Sequence, residues 1–352
     1  MERRTFLGLS AAVIAALGSG DVSAQEGAGT SLNAAVSKLA DLLETGYAVP
    51  DIGKRYATML RRKLAAGGYA ALTDPAALGQ QLTADLAAVS SDRHLRVVPD
   101  SVLRPGEGGP RPAPGGPQPV PQAGPRVGPA PRRSVEDAGW VAKQVAYIRF
   151  VGFTGEPDAV AATAEFMKAH ATATALIIDC RYNGGGGLDE MNAMLPYLYA
   201  RETVLVQMQM AESVAKVRGG TPFDDDKFVR SVANAPAGIV AREHFVVPSA
   251  DTRLFGAKVF YLTSNRTASA AEHLTLAFKR TKRATLIGET TAGANHFGGF
   301  ERIGGGLAVF LPVGRTIDPD TGKDWEADGI APDVAVAPAL ALEEALRRAG
   351  VL

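Results

Sequence analysis

The sequence predicts an α/β protein in which a small helical domain precedes a larger core of alternating strands and helices. In the core, the short apolar runs Ala175–Asp179 and Lys258–Thr263 have the length and the β-branched and aromatic content of buried strands. A helical pattern follows each run, which is typical of a parallel sheet covered by helices. We therefore predict a helical N-terminal domain at residues 25–98, a Pro/Gly-rich linker at 99–138 and an α/β core at 139–352.

The N-terminal domain carries apolar residues at helical spacing through about three helices. Asp74 and Pro75 mark the start of the last helix, because aspartate caps helices and proline fits their first turn. His94 then lies on a loop that leads into the extended stretch Leu95–Val98. Proline and glycine dominate residues 104–133, a composition that predicts a flexible spacer.

Residues 1–24 are predicted to be an export signal peptide. Arg3 and Arg4 precede an apolar run that is too short for a stable membrane anchor, and small residues follow at a suitable cleavage site. The order Arg-Arg-Thr-Phe-Leu is similar to a twin-arginine signal, and an ordinary secretory signal is the alternative. Either one predicts a periplasmic or secreted protein.

Composition excludes several classes of function. The 352 residues are 46% hydrophobic and 21% charged, as in a globular protein, and the formal net charge is zero. Zero net charge gives no electrostatic support for binding nucleic acid or an anionic membrane. Cys180 is the single cysteine, so no internal disulfide forms. The five histidines are scattered along the sequence, and neither a metal site nor a cofactor is predicted.

The segment Thr267–Glu272 lies between a predicted strand and a predicted helix. Backbone N–H groups are unpaired at such a junction, and the helix dipole favours developing negative charge there. Ser269 could therefore be a nucleophile with an oxyanion site beside it. Serine is also a common helix N-cap, so this sequence segment alone leaves both roles open.

Four consecutive glycines, Gly184–Gly187, follow the strand Ala175–Asp179. They match neither the phosphate-binding loop nor the spaced glycine pattern of dinucleotide-binding folds. They do offer backbone N–H groups without side chains, which suits an oxyanion hole. The alternative is a tight turn between strand and helix, although a turn needs fewer glycines.

These motifs, in this order, resemble the tail-specific, or C-terminal processing, serine peptidases. The closer match is to the branch that contains interphotoreceptor retinoid-binding protein and the tricorn core protease. The resemblance covers most of the chain after the leader and implies a crotonase-like or Clp-like core of ββα units. It is carried by Ser91–Leu95, Leu176–Gly186, Thr267–Glu272, Ile287–Gly293 and Glu326–Asp333.

The resemblance also implies roles for individual residues. Ser269 would be the nucleophile, His94 the general base and Glu326 the carboxylate that holds the imidazole. The backbone N–H groups of Gly185 and Ala270 would stabilise the tetrahedral intermediate.

The sequence departs from the family pattern at two positions. In many tail-specific peptidases a catalytic lysine directly follows the glycine of a Thr-x-Gly segment. Thr291–Gly293 matches that segment here, but the next residue is Ala294. The tricorn serine that precedes the histidine is replaced by Arg93. His296 follows in the same loop as a substrate-side residue or alternate base. The chain also lacks room for the peptide-binding PDZ module of many relatives.

The leading hypothesis is a periplasmic serine endopeptidase that cleaves peptides or unfolded protein segments through an acyl-enzyme on Ser269, without a cofactor. A non-catalytic binding protein for apolar ligands or peptides is the alternative. A crotonase-type lyase or hydratase acting on thioesters ranks below both, because no coenzyme A site is predicted. The sequence leaves open whether the chain forms a homo-oligomer. Residues 211–256 are predicted to be polar and irregular, and are a candidate lid.

Overall fold

The structure is a computed structural model that describes residues 19–103 and 134–352. Residues 1–18 of the predicted export signal and residues 104–133 of the predicted linker lie outside the described residues. The first described helix begins at Ser19, inside the segment predicted as the signal. None of the described helices combines the length and the apolar character needed to cross a membrane.

The described residues form an N-terminal group of helices followed by two sheets with helices between them. In chain order the helices are α1 (Ser19–Gly46), α2 (Pro50–Ala65), α3 (Pro75–Val89), α4 (Pro157–Ala169), α5 (Asp189–Met194), α6 (Glu212–Arg218), α7 (Ala270–Thr281) and α8 (Ala341–Ala349). The strands are β1 (Arg96–Pro99), β2 (Val135–Ala142), β3 (Val145–Phe150), β4 (Ala175–Asp179), β5 (Thr203–Ala211), β6 (Val229–Ser231), β7 (Ile239–Val246), β8 (Lys258–Thr263), β9 (Thr285–Gly288), β10 (Phe297–Gly304), β11 (Leu307–Ile317) and β12 (Val334–Ala335).

One sheet has the strand order β12-β9-β8-β4-β3-β2 and is parallel except for the β2–β3 pair. All five residues of β4 are buried, which explains why its sequence is continuously apolar up to Asp179. Helix α7 packs on this sheet through Leu274 and Phe278, both fully buried, and the Phe278 ring meets that of Tyr261. Burial of each such side chain contributes about 1.5–3 kcal/mol. The predicted α/β core is therefore confirmed.

The other sheet is antiparallel, with the strand order β1-β11-β5-β7-β6 and with β10 paired to β11. Strand β1 follows the three N-terminal helices and pairs with β11, so the helical segment is joined to the core through a sheet. Asp74 caps α3 as predicted, accepting a hydrogen bond from the Ala77 N–H at 2.8 Å. The pairing of β1 also fixes the loop at residues 91–95, which carries His94.

The prediction that residues 211–256 are irregular is wrong, because they contain α6, β6 and β7. Strand β7 pairs with β5 along its whole length, and its buried positions are not strictly alternating. Polar residues at its partly exposed positions, such as Arg242 and Glu243, hid the strand pattern.

Candidate active site

The glycine-rich turn and the serine turn meet because they follow neighbouring strands. Strands β4 and β8 are parallel, and residues at their carboxyl ends, Asp179 and Leu262, are directly paired. The turns that follow are held together by a hydrogen bond from the Ala268 N–H to the Asn183 carbonyl at 3.0 Å. The Thr267 hydroxyl donates to the Cys180 carbonyl at 2.8 Å. Sheet topology thus brings two distant sequence motifs to one point.

Ser269 occupies the N-cap of α7 with a backbone conformation that serine rarely adopts. Its φ is 56° and its ψ is −120°. Such a conformation costs a non-glycine residue about 1–3 kcal/mol, and conformations of this kind cluster at functional sites. A sharp, strained turn from strand to helix is also how serine nucleophiles are presented in α/β hydrolases. Ser269 is therefore the N-cap residue of α7. It also lines a cavity beside this turn.

Gly185 lies against Ser269 so closely that no side chain fits. An added Cβ would lie 2.7 Å from the Ser269 Cβ and 2.9 Å from the Ala270 nitrogen, and the φ of Gly185 is +97°. The Ala270 N–H opens the first turn of α7, where no intrahelical acceptor exists. The Gly185 N–H donates to the Asn183 Oδ1 at 2.8 Å. The Ala270 N–H is thus placed to stabilise an oxyanion. The Gly185 N–H could do so only after its hydrogen bond to Asn183 Oδ1 breaks.

Glu272 joins the serine turn to the loop that follows β9. Its carboxylate is fully buried and accepts four hydrogen bonds. The donors are the Ser269 N–H at 2.9 Å, the Thr291 hydroxyl at 2.6 Å, the Gly293 N–H at 2.7 Å and the Ala294 N–H at 2.9 Å. The spacing Ser-x-x-Glu is that of a capping box, which is the signal by which the sequence could have identified Glu272.

Glu326 joins that same loop to the segment that carries His94. Its carboxylate accepts the Arg93 N–H at 3.1 Å, the Asn295 N–H at 2.7 Å and the His296 N–H at 3.3 Å. Burial raises the pKa of this carboxyl group, and this effect outweighs the charge of the nearby His296, which lowers it. Glu272 and Glu326 together therefore tie the predicted motifs into one region.

Asp92 and His296 form the carboxylate–imidazole pair of this region. Asp92 Oδ2 lies 2.8 Å from His296 Nδ1, and the Tyr47 hydroxyl donates to the same oxygen at 2.7 Å. Burial opposes ionisation of Asp92, but the hydrogen bonds from His296 and Tyr47 overcome it and lower its pKa to about 2. Burial likewise opposes the imidazolium form of His296, yet the contact with Asp92 raises its pKa above 6.5. The sequence did not identify Asp92 as a site residue.

His94 has a different environment. Its ring stacks on Phe310, with centroids 5.3 Å apart and an interplanar angle of 25°. Its buried Nδ1 has no hydrogen-bond partner within the described residues, and burial lowers its pKa to about 4. The expected contact of Glu326 with this imidazole is absent from the described residues. Glu326 instead binds the Arg93 backbone and lies 3.9 Å from the Nδ1 of His296. The carboxylates thus orient His296, and the role of His94 as general base stays a prediction.

Neither imidazole touches the nucleophile. Among the described residues, the Ser269 hydroxyl makes no hydrogen bond with His94 or with His296. Catalytic hydrogen bonds are often long without substrate and tighten when it binds, or pass through a water. The structure therefore brings the predicted residues into one region without completing a Ser–His contact.

Two further histidines, His244 and His273, are far apart in the sequence but form a buried pair near the site. His273 lies one turn after Ser269 on α7, and its Nε2 is 2.8 Å from His244 Nδ1. His244 Nε2 in turn lies 2.8 Å from Asn192 Oδ1. Burial lowers the pKa of His273 to about 3 and that of His244 well below 6.5. The pair is therefore neutral near pH 7.

A cavity of about 250 Å³ opens beside Ser269. Its wall combines residues from the glycine turn, from α7, from the loop after β9 and from the candidate lid segment 211–256. The lining residues are Gly186, Gly187, Leu188, Asp189, Pro222, Phe223, Asp226, Ser269, Ala270, His273, Asn295, Phe297, Thr316 and Trp325.

Asp92, His296 and Glu326 also form a group that could hold a metal ion, since one ligand atom from each lies within 4.8 Å of the others. The imidazole nitrogen that would bind the ion already faces Asp92 in a hydrogen bond of 2.8 Å. Glu326 Oε2 accepts two backbone N–H groups. The group is therefore satisfied as a hydrogen-bond network without an ion.

Two family models match separate parts of the chain. The model of peptidase family S41 matches residues 144–336, and that of the N-terminal domain of peptidase S41 in eukaryotic IRBP matches residues 29–123.

Among solved structures, a lipoprotein from Streptococcus agalactiae is 14% identical, with a TM-score of 0.52 and coverage of 91% of this chain and 96% of that chain. A putative peptidase from Parabacteroides merdae is 16% identical, with a TM-score of 0.51 and coverage of 87% and 90%. At these identities the likeness concerns the fold.

A photosystem II D1 C-terminal processing protease is 22% identical, with a TM-score of 0.42 and coverage of 58% of this chain and 46% of that chain. The chain thus spans about half the length of the first solved structures that it matches.

Proposed function

Because the chain belongs to peptidase family S41, whose model matches residues 144–336, we propose that it is a serine endopeptidase. Its substrates would be peptides or unfolded protein segments, cleaved through an acyl-enzyme on Ser269. The observation that carries this proposal is the strained serine at the N-terminus of α7, which faces a cavity beside the Ala270 N–H.

We propose His296 as the general base, because Asp92 holds its ring and raises its pKa. In the acylation step the Ser269 oxygen attacks the carbonyl carbon while its proton passes to the Nε2 of His296, whose Nδ1–H is held by Asp92. The carbonyl oxygen takes the negative charge beside the Ala270 N–H. Collapse of this intermediate breaks the C–N bond, and the imidazolium returns the proton to the leaving amine. Water, activated by the same imidazole, then hydrolyses the ester.

A fluorophosphonate probe tests this assignment, because it labels only an activated serine. Wild type, Ser269→Ala, His296→Ala and His94→Ala would be compared, with circular dichroism as the folding control. We expect labelling of the wild type, none with Ser269→Ala, and strongly slowed labelling with His296→Ala. If His94→Ala abolishes labelling and His296→Ala does not, the base is His94 and the proposed assignment of His296 is wrong.

The cavity volume favours a peptide substrate over a large apolar ligand. Small-molecule sites commonly enclose about 300–1,000 Å³, and the cavity beside Ser269 encloses about 250 Å³. It accepts roughly one side chain. A folded wild type that stays unlabelled, even with added peptide, would instead favour the binding-protein alternative.

We further propose that the protein acts in the periplasm or outside the cell, because Arg3 and Arg4 open an export-type leader. Fractionation of cells that express the full chain tests this. Replacement of both arginines by lysine should retain the protein in the cytoplasm if a twin-arginine signal directs export. Normal export of that variant would favour an ordinary secretory signal. Assembly into a homo-oligomer stays a prediction that sedimentation can test.

A further inference from the structure

The cavity beside Ser269 has an apolar wall suited to the stem of a long side chain. Leu188, Phe223, Phe297 and Trp325 contribute large apolar side chains to this wall. Aromatic faces attract cations as well as apolar groups, and long basic side chains pack their methylene stems on such surfaces. The apolar wall is thus compatible with either an apolar or a basic side chain. Which of the two binds better depends on the polar groups of the cavity.

Two carboxylates in the same cavity lack a cationic partner. Asp189 stands at the start of α5 and Asp226 on the loop after α6, and neither forms an ion pair within the described residues. Asp226 accepts the Phe228 N–H at 2.8 Å and the Asn192 side-chain N–H at 3.3 Å. The nearby Asp224, by contrast, is paired with Arg242 at 2.8 Å.

The two carboxylates also influence one another. Burial raises the pKa of Asp189, and the charges of Glu190 and Asp226 raise it further. Like charges that are not compensated by a cation disfavour ionisation in this way. A positively charged group placed in the cavity would remove that repulsion and gain charge-assisted hydrogen bonds.

A third observation indicates that a polar ligand completes the cavity. Trp325 is 4% exposed and lines it, and its indole N–H is buried with no hydrogen-bond partner in the part of the chain that the structure describes. A buried donor without an acceptor is costly, so such groups normally have a partner. The main-chain carbonyl of a bound peptide would provide the acceptor once the indole turns to bring its N–H, which is covered in this structure, to the cavity surface.

We propose that this cavity is the subsite for the side chain next to the cleaved bond, and that Asp189 and Asp226 make it select lysine or arginine. The stem would pack on Phe223 and Phe297, the charged head would reach the carboxylates, and Trp325 would donate to the peptide backbone. This inference rests on the proposed function, since it names the substrate class of the same site.

The first part of the test is a digest. Denatured casein would be treated with the wild type, and the cleavage sites would be identified by mass spectrometry. Quenched peptides built around one observed site would then differ at a single residue: lysine, arginine, norleucine or glutamate. Norleucine matches the stem of lysine without its charge. We expect kcat/KM for the lysine and arginine peptides to exceed that for norleucine by about 10-fold or more.

The second part uses Asp189→Asn and Asp226→Asn, which keep side-chain shape and remove charge. Each should lower the lysine-to-norleucine ratio of kcat/KM by about 10-fold. Asp225→Asn is the matched control, because Asp225 is an adjacent carboxylate that does not line this cavity. The control should keep the wild-type ratio.

Fluorophosphonate labelling separates failure of this inference from failure of the proposed function. If Ser269 is labelled but cleavage shows no preference for basic residues, or both asparagine variants keep the preference, the specificity proposal is overturned and the peptidase remains. If a folded wild type neither labels nor cleaves, the proposed function fails, and this inference fails with it.

Discussion

Replacement of Asp92 by asparagine tests the assignment of the base most directly. The substitution keeps the size of the side chain and an oxygen for the backbone N–H groups of His94 and Leu95. It also puts an NH2 group where Oδ2 accepts from the Tyr47 hydroxyl, so that hydrogen bond is lost. What it removes is the negative charge 2.8 Å from the Nδ1 of His296. Asp92 is fully buried at its side chain, so solvent screens that charge little.

The structure gives the size of the effect. The pKa of Asp92 falls from 3.8 to about 2. Since one pKa unit corresponds to 1.36 kcal/mol, its surroundings favour the carboxylate by roughly 2 kcal/mol. That agrees with the ~1.5–3 kcal/mol typical of a hydrogen bond to a charged group. Loss of one such charge-assisted hydrogen bond to the imidazolium formed in the transition state should lower kcat/KM about 10- to 100-fold.

The pH dependence of activity tests the same assignment independently, because it predicts the direction in which the acidic limb of the rate profile should move. His296 must be neutral to accept a proton, so activity should rise with pH through its pKa, which Asp92 raises above 6.5. Asp92→Asn should therefore move the acidic limb to lower pH while it lowers the plateau. The assay is the rate of fluorophosphonate labelling from pH 5 to 9. Asp74→Asn serves as control, because asparagine also caps a helix. A labelling rate within threefold of wild type, with an unmoved acidic limb, would refute the role of Asp92 and His296.

Three further predictions concern the fold around the site. Ser269→Gly should be more stable to urea than Ser269→Ala by about 1 kcal/mol, because only glycine tolerates φ 56° without strain; equal stabilities would argue against strain at this turn. Gly185→Ala should lower the unfolding free energy by about 1–3 kcal/mol and slow labelling, because its Cβ would lie 2.7 Å from that of Ser269. A variant that melts and labels like the wild type would contradict the close packing of Gly185 against Ser269. Burial lowers the pKa of His244 and His273, so the unfolded chain binds protons that the folded chain does not between pH 6.5 and about 3. Urea stability should therefore fall as pH drops through that window, by up to about 1.4 kcal/mol per pH unit for each histidine, and His273→Gln should flatten the fall.

The sequence was sufficient to predict the elements that carry the nucleophile. Strands β4 and β8 have the predicted bounds, because both are buried in a parallel sheet and are continuously apolar. The serine turn and the glycine turn were each recognisable from local composition. Their contact then follows from the pairing of two parallel strands, which a fold class predicts without knowledge of side chains.

The sequence was insufficient to predict which polar groups pair with each other. Asp92 and His296 are 204 residues apart, and no periodicity relates them. His244 on β7 and His273 on α7 are likewise brought together by the tertiary fold rather than by a motif. Side-chain pairing depends on rotamers and on the angle between packed elements, and a binary pattern of apolar and polar residues carries neither.

The environments of the histidines argue most clearly for the assignment of the base. A general base works best when its pKa lies near the working pH. Burial lowers the pKa of His94 to about 4, although the charge of Asp92 acts against it, and burial lowers that of His273 to about 3, which makes both weak bases. His296 is also buried, but Asp92 raises its pKa. Three buried histidines of this region thus show two protonation behaviours. The carboxylate that hydrogen-bonds the ring, rather than the motif that contains it, decides which histidine can accept a proton near neutral pH.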